Sequence, residues 1–332
     1  PSNVVRSIML STSFNPSTIV AGTGNVLTIQ GNGFGSFRGT GRVLFTSASF
    51  FEPLSVDPYP AQYVFWSDTL ILVKVPSRGY SDNSLTAGSG LISVESDTSF
   101  GNTITSTNSL QIMYSRLNLD DGGLLVEPKF KNKNGNGGYY FNLSNNIDTN
   151  IAANEAFQRS IQTWRCATNV NWEIGPSSSD TLNTLDGLSL VKYRDMGPFL
   201  ISVTYQYFIN CGGDWYLEEV DIDISNIMNW HYGSNSPGSN QLDFESSMVS
   251  ALGSAHMVKN SNELSSVMYH SYSTGDSFKV LGTGDINCGN YVMGQSIVAT
   301  GCSLGPITPI TSCQVGYTDD AAVEMIVMPM NN

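Results

Sequence analysis

Residues 241–270 read QLDFESSMVSALGSAHMVKNSNELSSVMYH, and the rest of the chain is interpreted from them. Apolar side chains recur about one helical turn apart at Phe244, Met248 and Leu252. This spacing predicts a helix with one face buried in a core. Met268, farther along the stretch, is expected to pack against the same core.

The stretch resembles the active-site helix of the matrixins, a branch of the metzincin zinc peptidases, and most closely secreted bacterial forms of the Bacteroidota type. Such a helix binds Zn²⁺ through two histidines one turn apart, and a glutamate beside the first takes a proton from the metal-bound water. The shared segments are Asp-Phe-Glu-Ser at 243–246, Leu-Gly at 252–253, Ala-His at 255–256 and Val-Met at 267–268, the last lying where the family has its Met-turn.

All four positions that carry the family's chemistry hold other residues here. By the resemblance, the first metal histidine falls on Ser250 and the second on Ser254. The general-base glutamate falls on Ala251 and the third histidine on Asn260. Serine and asparagine are weak neutral oxygen ligands, and alanine has no titratable group. The chain is therefore interpreted as a pseudo-peptidase, not an enzyme, for which no zinc is expected.

The composition favours a secreted protein. The 332 residues carry a formal net charge of −13, yet only 13% of them are charged. No basic run is present, which argues against a nucleic-acid partner. No stretch approaches the ~18 apolar residues of a membrane span. We expect a mature protein that is extracellular or held at the cell surface.

Five cysteines lie in the second half of the chain, and none has the spacing of a zinc ribbon. The metzincin resemblance implies a disulfide between Cys166 and Cys211. Proximity in sequence suggests a second disulfide between Cys302 and Cys313. Cys288 is then left over, either buried and inert or available for an intermolecular bridge.

Residues 1–117 are predicted to form an all-β domain. Short runs of alternating apolar residues are separated by Gly, Pro, Asn and Ser, and six or seven such strands indicate an antiparallel sandwich. One strand runs into Gly-Asn-Gly-Phe-Gly at 31–35, and a later strand ends in Val75-Pro76; these features resemble the immunoglobulin-like IPT/TIG domain. The predicted strands cover residues 17–20, 26–29, 41–45, 69–75, 90–94 and 109–114.

Residues 118–137 are rich in Asn, Lys and Gly and are interpreted as a linker. The metzincin resemblance implies an α+β domain over 138–318, with a twisted sheet and three main helices. Its first strand is expected at 139–143. Apolar residues at helical spacing predict the first long helix over 151–164, and the last helix is expected over 284–293.

The segment 215–224 resembles the strand that lines the edge of the substrate cleft. It places Glu219, Asp221 and Asp223 on one side, because side chains repeat every second residue along a strand. These carboxylates are candidates for binding Ca²⁺. The favoured alternative is that they form the solvated face of a half-buried strand, because the spacing of a known calcium loop is missing.

The three histidines do not match the spacing of a zinc site. His256 lies two residues past Ser254, so on a helix it points about 200° away from it. His231 lies in a polar loop, and His270 lies just past the Met-turn. We expect solvated or hydrogen-bonded histidines rather than metal ligands.

The segment 319–332 is apolar and strand-like. It is either the remainder of a sorting domain or a strand that pairs with the sheet edge of a neighbouring molecule. The expected function is a non-catalytic structural or adhesive protein that self-associates or binds other surface proteins or glycans. The alternative is a pseudo-enzyme that holds a peptide or glycan in the former cleft. The second alternative is an active zinc protease.

Overall fold

A computed structural model describes residues 12–48, 54–180, 182–269, 271, 273–299, 302 and 305–313. The tail at 319–332 and His270 lie outside the described residues. Within them, the chain consists mainly of β-sheets with four α-helices. The fold therefore combines a β-rich sandwich with a smaller α+β part.

The N-terminal part is built from ten strands and one 3-10 turn at Pro60–Gln62. The strands are β1 (Thr12–Asn15), β2 (Thr18–Ala21), β3 (Val26–Gly31), β4 (Arg42–Ser47), β5 (Ser55–Val56), β6 (Tyr63–Trp66), β7 (Leu70–Lys74), β8 (Ala87–Glu95), β9 (Thr103–Thr105) and β10 (Gln111–Ser115). They form two four-stranded antiparallel sheets, ordered β1-β3-β7-β6 and β5-β4-β8-β9, and a parallel pair of β10 and β2.

The two sheets enclose an apolar core. Leu27 and Ile29 of β3 and Val43 and Phe45 of β4 point inward at alternate positions and are fully buried. Phe34, which follows β3, is fully buried in the same core. All six strands predicted for this part are confirmed, because the alternation that the sequence carries is the pattern of a strand with one buried face.

The segment that joins the two parts is itself structured. It contains a hairpin of β11 (Leu119–Asp121) and β12 (Leu124–Val126). Just before it, Arg116 is fully buried, with its Nε atom 3.7 Å from Glu127 Oε2. Just after it, Phe130 lies in the core of the C-terminal part. This segment therefore packs against the rest of the molecule.

The C-terminal part contains one five-stranded sheet and all four helices. Its elements are β13 (Tyr139–Leu143), α1 (Asn145–Asp148), α2 (Ile151–Thr168), β14 (Trp172–Ile174), β15 (Ser189–Arg194), β16 (Ser202–Cys211), β17 (Asp214–Ser225), β18 (Trp230–His231), β19 (Leu242–Asp243), α3 (Phe244–Ala255) and α4 (Thr283–Ser296). The sheet has the order β14-β13-β15-β17-β16. Its first four strands run parallel, and β16 is antiparallel to β17.

The order of the strands corrects one expectation. The segment 215–224, expected at the edge of a cleft, lies in β17, an interior strand between β15 and β16. The edge strand is β16, which pairs with β17 over its whole length, from Ser202 with Ile224 to Cys211 with Asp214. The tight hairpin places β16, which comes before β17 in the chain, on the outer side of β17. The sequence of β17 alone does not indicate this.

Helices α2 and α3 pack side by side on one face of this sheet. Trp164 of α2 is fully buried, and its Nε1 atom donates a hydrogen bond to the carbonyl of Val249 in α3 at 2.8 Å. The predicted core face of α3 is confirmed, because Phe244, Met248 and Leu252 are fully buried. The fold thus packs α3 against both the sheet and α2.

Candidate functional site

Helix α3 begins in a cluster of charged groups. The carboxylate of Asp243 accepts hydrogen bonds from Glu245 N at 3.1 Å and Ser246 N at 3.4 Å. Lys279 Nζ lies 3.1 Å from Asp243 Oδ2, and Arg159 Nε donates to Glu245 Oε2 at 2.8 Å. Charge-assisted hydrogen bonds of this kind fix the first turn of the helix firmly against its neighbours.

The motif positions on α3 lie on the turns that contact edge strand β16. Ser250 and Ser254 are half-buried, and Ala251 is buried. Thr204 Oγ1 donates to the carbonyl of Ala251 at 3.3 Å, and Gln206 Nε2 donates to the carbonyl of Ser254 at 2.7 Å. These bonds fasten the strand to the helix, and the three motif positions supply hydroxyl groups and a methyl group but no titratable side chain.

The end of α3 is an unusual turn. Met257 has a φ of 63°, in the left-handed region that favours glycine, and its side chain is fully buried. The chain then leaves the helix, and Val258 pairs with Arg116 in an isolated bridge. Asn260, the fourth motif position, is exposed.

Met268 lies directly beside the helix. A Cβ atom added to Gly253 would collide with Met268 Sδ, so the two residues are in close contact. The turn that carries Met268 is held by Asp285 of α4. Its carboxylate accepts hydrogen bonds from Ser266 Oγ at 2.6 Å and Val267 N at 2.9 Å. The Met-turn segment is thereby anchored to α4.

His256 is a core residue. It is fully buried among the rings of Trp164, Trp172 and Phe130, whose centroids lie 5.0–5.2 Å from that of the imidazole. Its Nε2 atom shares a hydrogen bond of 2.9 Å with Thr168 Oγ1. Burial lowers the pKa of His256 to about 3, so the ring is neutral at physiological pH.

The structure does not bring the described histidines together. His231 ends strand β18 rather than lying in the expected loop; it is partly exposed, and its Nε2 atom lies 3.0 Å from the carbonyl oxygen of Asn235. His256 is enclosed in the core.

The three carboxylates of β17 are buried, so the solvated-face interpretation is wrong. Glu219 is 0% exposed, and Asp221 and Asp223 are each 1% exposed. The helices cover one face of the strand, and the loop before β15 covers the other. From this loop, the backbone N–H of Asp186 donates to Glu219 at 3.0 Å, and the Asn183 amide donates to Asp223 at 2.7 Å.

Burial also raises the pKa of two of these carboxyl groups, Glu219 and Asp221. It raises the pKa of Asp221 to about 7, with nearby Glu219 adding to the rise, although Leu190 N donates a hydrogen bond of 3.0 Å to the carboxylate. Among the residues that the structure describes, one oxygen of Asp221 and one of Glu219 have no hydrogen-bond partner. No three His, Cys, Asp or Glu side chains in the described ranges are arranged to hold a metal ion. Calcium at these residues stays a prediction without geometric support.

Both expected disulfide pairings are wrong. The structure joins Cys166 to Cys313 and Cys211 to Cys302. After α4 the chain passes the end of β16, where Cys302 packs near Cys211, and only then crosses to the end of α2. Cys288 is a free thiol that is fully buried in α4, and burial raises its pKa. It is therefore protected from the solvent.

Searches against protein-family models and among curated proteins find no match for this chain. Among the helices in the described ranges, none is both long and apolar enough to cross a membrane.

A strand is expected from the sequence at 200–208, and β16 confirms it, but its position at the open edge of the sheet is a feature that the sequence analysis missed. The strand is ten residues long, whereas the other edge strands of the three larger sheets have two to four residues. Its sequence, SVTYQYFINC, contains no charged residue and no proline. Just before it, Phe199 is 91% exposed and Leu200 is 50% exposed. The available signal was this long uncharged run of β-forming residues.

Proposed function

We propose that this chain is a secreted, non-catalytic structural or adhesive protein, built on an inactivated matrixin-like domain and an IPT/TIG-like sandwich. One observation carries the proposal. Helix α3 is anchored at its start, packed against α2 and tied to β16, yet its motif positions hold Ser250, Ala251 and Ser254. The scaffold of an active site is present without the side chains that perform the chemistry.

Two details support the metzincin interpretation. The metzincin motif is H-E-x-x-H-x-x-G-x-x-H, followed by a Met-turn. With the motif's first histidine aligned to Ser250, its glycine falls on Met257, the left-handed residue at the end of α3. The Met-turn falls on Met268, which lies against Gly253 of the helix. The backbone and packing features that accompany the motif are thus found without its ligands.

The two disulfides support a secreted protein. Two disulfides tie the C-terminal segment back to β16 and to α2. Disulfides are rare in reducing compartments and are typical of secreted and surface proteins. For a protein outside the cell or at its surface, the available partners are other surface proteins or glycans.

A second candidate function is peptide binding by strand addition. The observation that favours it is the open edge of β16, since an extended peptide adds a strand to an exposed sheet edge. The segment 215–224, which resembles the strand at the edge of the cleft, cannot take this role, because β17 is paired on both sides. In this candidate the bound segment belongs to a different protein.

Sedimentation velocity of the purified full chain over a wide concentration range tests the proposal, together with a peptide-library cleavage assay containing added zinc. We expect concentration-dependent self-association or binding to surface material, and no cleavage. A chain that stays monomeric at every concentration and retains no surface protein or glycan contradicts the structural role. Specific cleavage that a zinc chelator abolishes contradicts the non-catalytic role.

A further inference from the structure

The outer edge of β16 is a row of backbone hydrogen-bonding groups without a strand beside it. In the described part of the chain, β16 pairs only with β17. An open edge of this length is a template for another strand, and proteins usually protect such edges with charges, proline or short length. Apart from one irregularity between Tyr207 and Phe208, β16 has none of these protections.

The strand is also held rigidly in place. Gln206 and Thr204 bond to the carbonyls of α3, and the disulfide of Cys211 fixes its far end. A strand that is ordered before association loses little conformational entropy when it pairs. The edge of β16 is therefore ordered before a partner strand binds.

Its composition indicates which partner fits. The whole chain carries a net charge of −13, yet the ten residues of β16 carry no charge, so two copies of this strand meet without repulsion between like charges along it. Its Val, Thr, Tyr, Phe and Ile residues are good strand formers. A second copy of β16 has an open edge of its own. One pairing therefore satisfies the backbone hydrogen-bonding groups of both edges, and the result is a closed two-fold dimer.

Exposed apolar side chains extend this surface beyond the strand. Phe199 and Leu200 precede β16, and Ile227, which is 54% exposed, follows β17 near the same end of the hairpin. Large exposed apolar groups next to an open edge mark an association surface.

We propose that two copies of this chain associate through antiparallel pairing of β16 with β16, which joins two five-stranded sheets into one ten-stranded sheet. This inference rests on the proposed structural function and names its partner as a second copy. The Phe199 end of one strand then lies beside the Asn210 end of the other.

The first test places a positive charge at each end of the strand in the full chain. The variant Phe199→Lys/Asn210→Lys changes two exposed residues, so the fold should persist. The control Leu264→Lys/Asn290→Lys makes the same charge change at exposed positions elsewhere. We expect sedimentation equilibrium to show dimerisation about tenfold weaker for the first variant, because like charges then face each other. The control should dimerise like the unaltered chain.

Single cysteines introduced along β16 provide a second measurement, which does not depend on weaker dimerisation of a variant. In an antiparallel two-fold pair, only residues near the middle of the strand meet their own counterparts. Mild oxidation should therefore cross-link Gln206→Cys or Tyr207→Cys dimers, and not Asn210→Cys dimers. Equal cross-linking along the strand, or none, overturns the proposal. Assembly that persists unchanged in the Phe199→Lys/Asn210→Lys variant also overturns it, while leaving the structural function intact.

Discussion

Asp221 shows how a single buried carboxyl makes the fold sensitive to pH. Its pKa is raised from the ordinary 3.8 to about 7, first by burial and then by the neighbouring Glu219. A carboxyl with a raised pKa is more readily protonated in the folded chain than in the unfolded chain. Its contribution to stability is therefore complete below about pH 4 and is lost as the pH rises through about 7.

The variant Asp221→Asn keeps the shape of this side chain and removes its charge. We expect it to raise the free energy of unfolding at pH 8 and to change it little at pH 4. The substitution removes a charge that burial disfavours, so it should recover part of that free energy, on the order of 1–4 kcal/mol. Urea unfolding at both pH values measures the effect. The exposed Glu155→Gln serves as the control, and an equal gain from it would contradict the explanation.

The burial of these carboxylates could not be predicted from the sequence. Alternation of Glu219, Asp221 and Asp223 with Val220 and Ile222 is the pattern of a strand with one solvated face. Here a loop covers that face and donates hydrogen bonds to the carboxylates. The covering loop has no regular period, so nothing in its sequence indicates where it folds.

Helix α3 is a packing element, and it has a close contact at Gly253. A Cβ atom there would collide with Met268 Sδ and would lie 3.0 Å from Trp164 Cζ2. Both neighbours are buried, so neither can move away freely. Glycine at this position lets the helix approach the Met-turn segment.

The variant Gly253→Ala should destabilise the fold by about 1–3 kcal/mol, because overpacking outweighs the gain in helix propensity. The matched variant Gly294→Ala lies in helix α4, where an added Cβ atom meets nothing within 4 Å. It should stabilise by about 0.5–1 kcal/mol. Thermal unfolding distinguishes the two. Stabilisation by both substitutions would mean that α3 is not packed closely against Met268.

The positions of helices and strands along the chain could be predicted from the sequence. Which strands lie beside each other in a sheet could not. The apolar spacing of Phe244, Met248 and Leu252 identifies α3 and its buried face, because periodicity is a local property. The position of β16 at the edge depends on how a hairpin folds back onto a parallel sheet. Long-range packing determines this position of β16.

At the scale of the whole molecule, the last part of the chain links distant elements. The two disulfides close loops with sequence separations of 91 and 147 residues. Cross-links over loops of about this length stabilise folds by on the order of 4–5 kcal/mol in a chain-entropy model. The predicted pairs rested on distance in sequence and on a family resemblance, whereas the observed pairs place Cys302 beside β16 and Cys313 beside α2.

We propose that this chain has the scaffold of a zinc peptidase without its ligands. The most direct measurement is the zinc content, per chain, of the unaltered protein and of the fourfold variant Ser250→His/Ala251→Glu/Ser254→His/Asn260→His, both dialysed against zinc. We expect no tightly held zinc in the unaltered chain, whose unfolding temperature a chelator leaves unchanged. We expect about one zinc per chain in the variant. Tightly bound zinc in the unaltered chain, or none in the correctly folded variant, would contradict it.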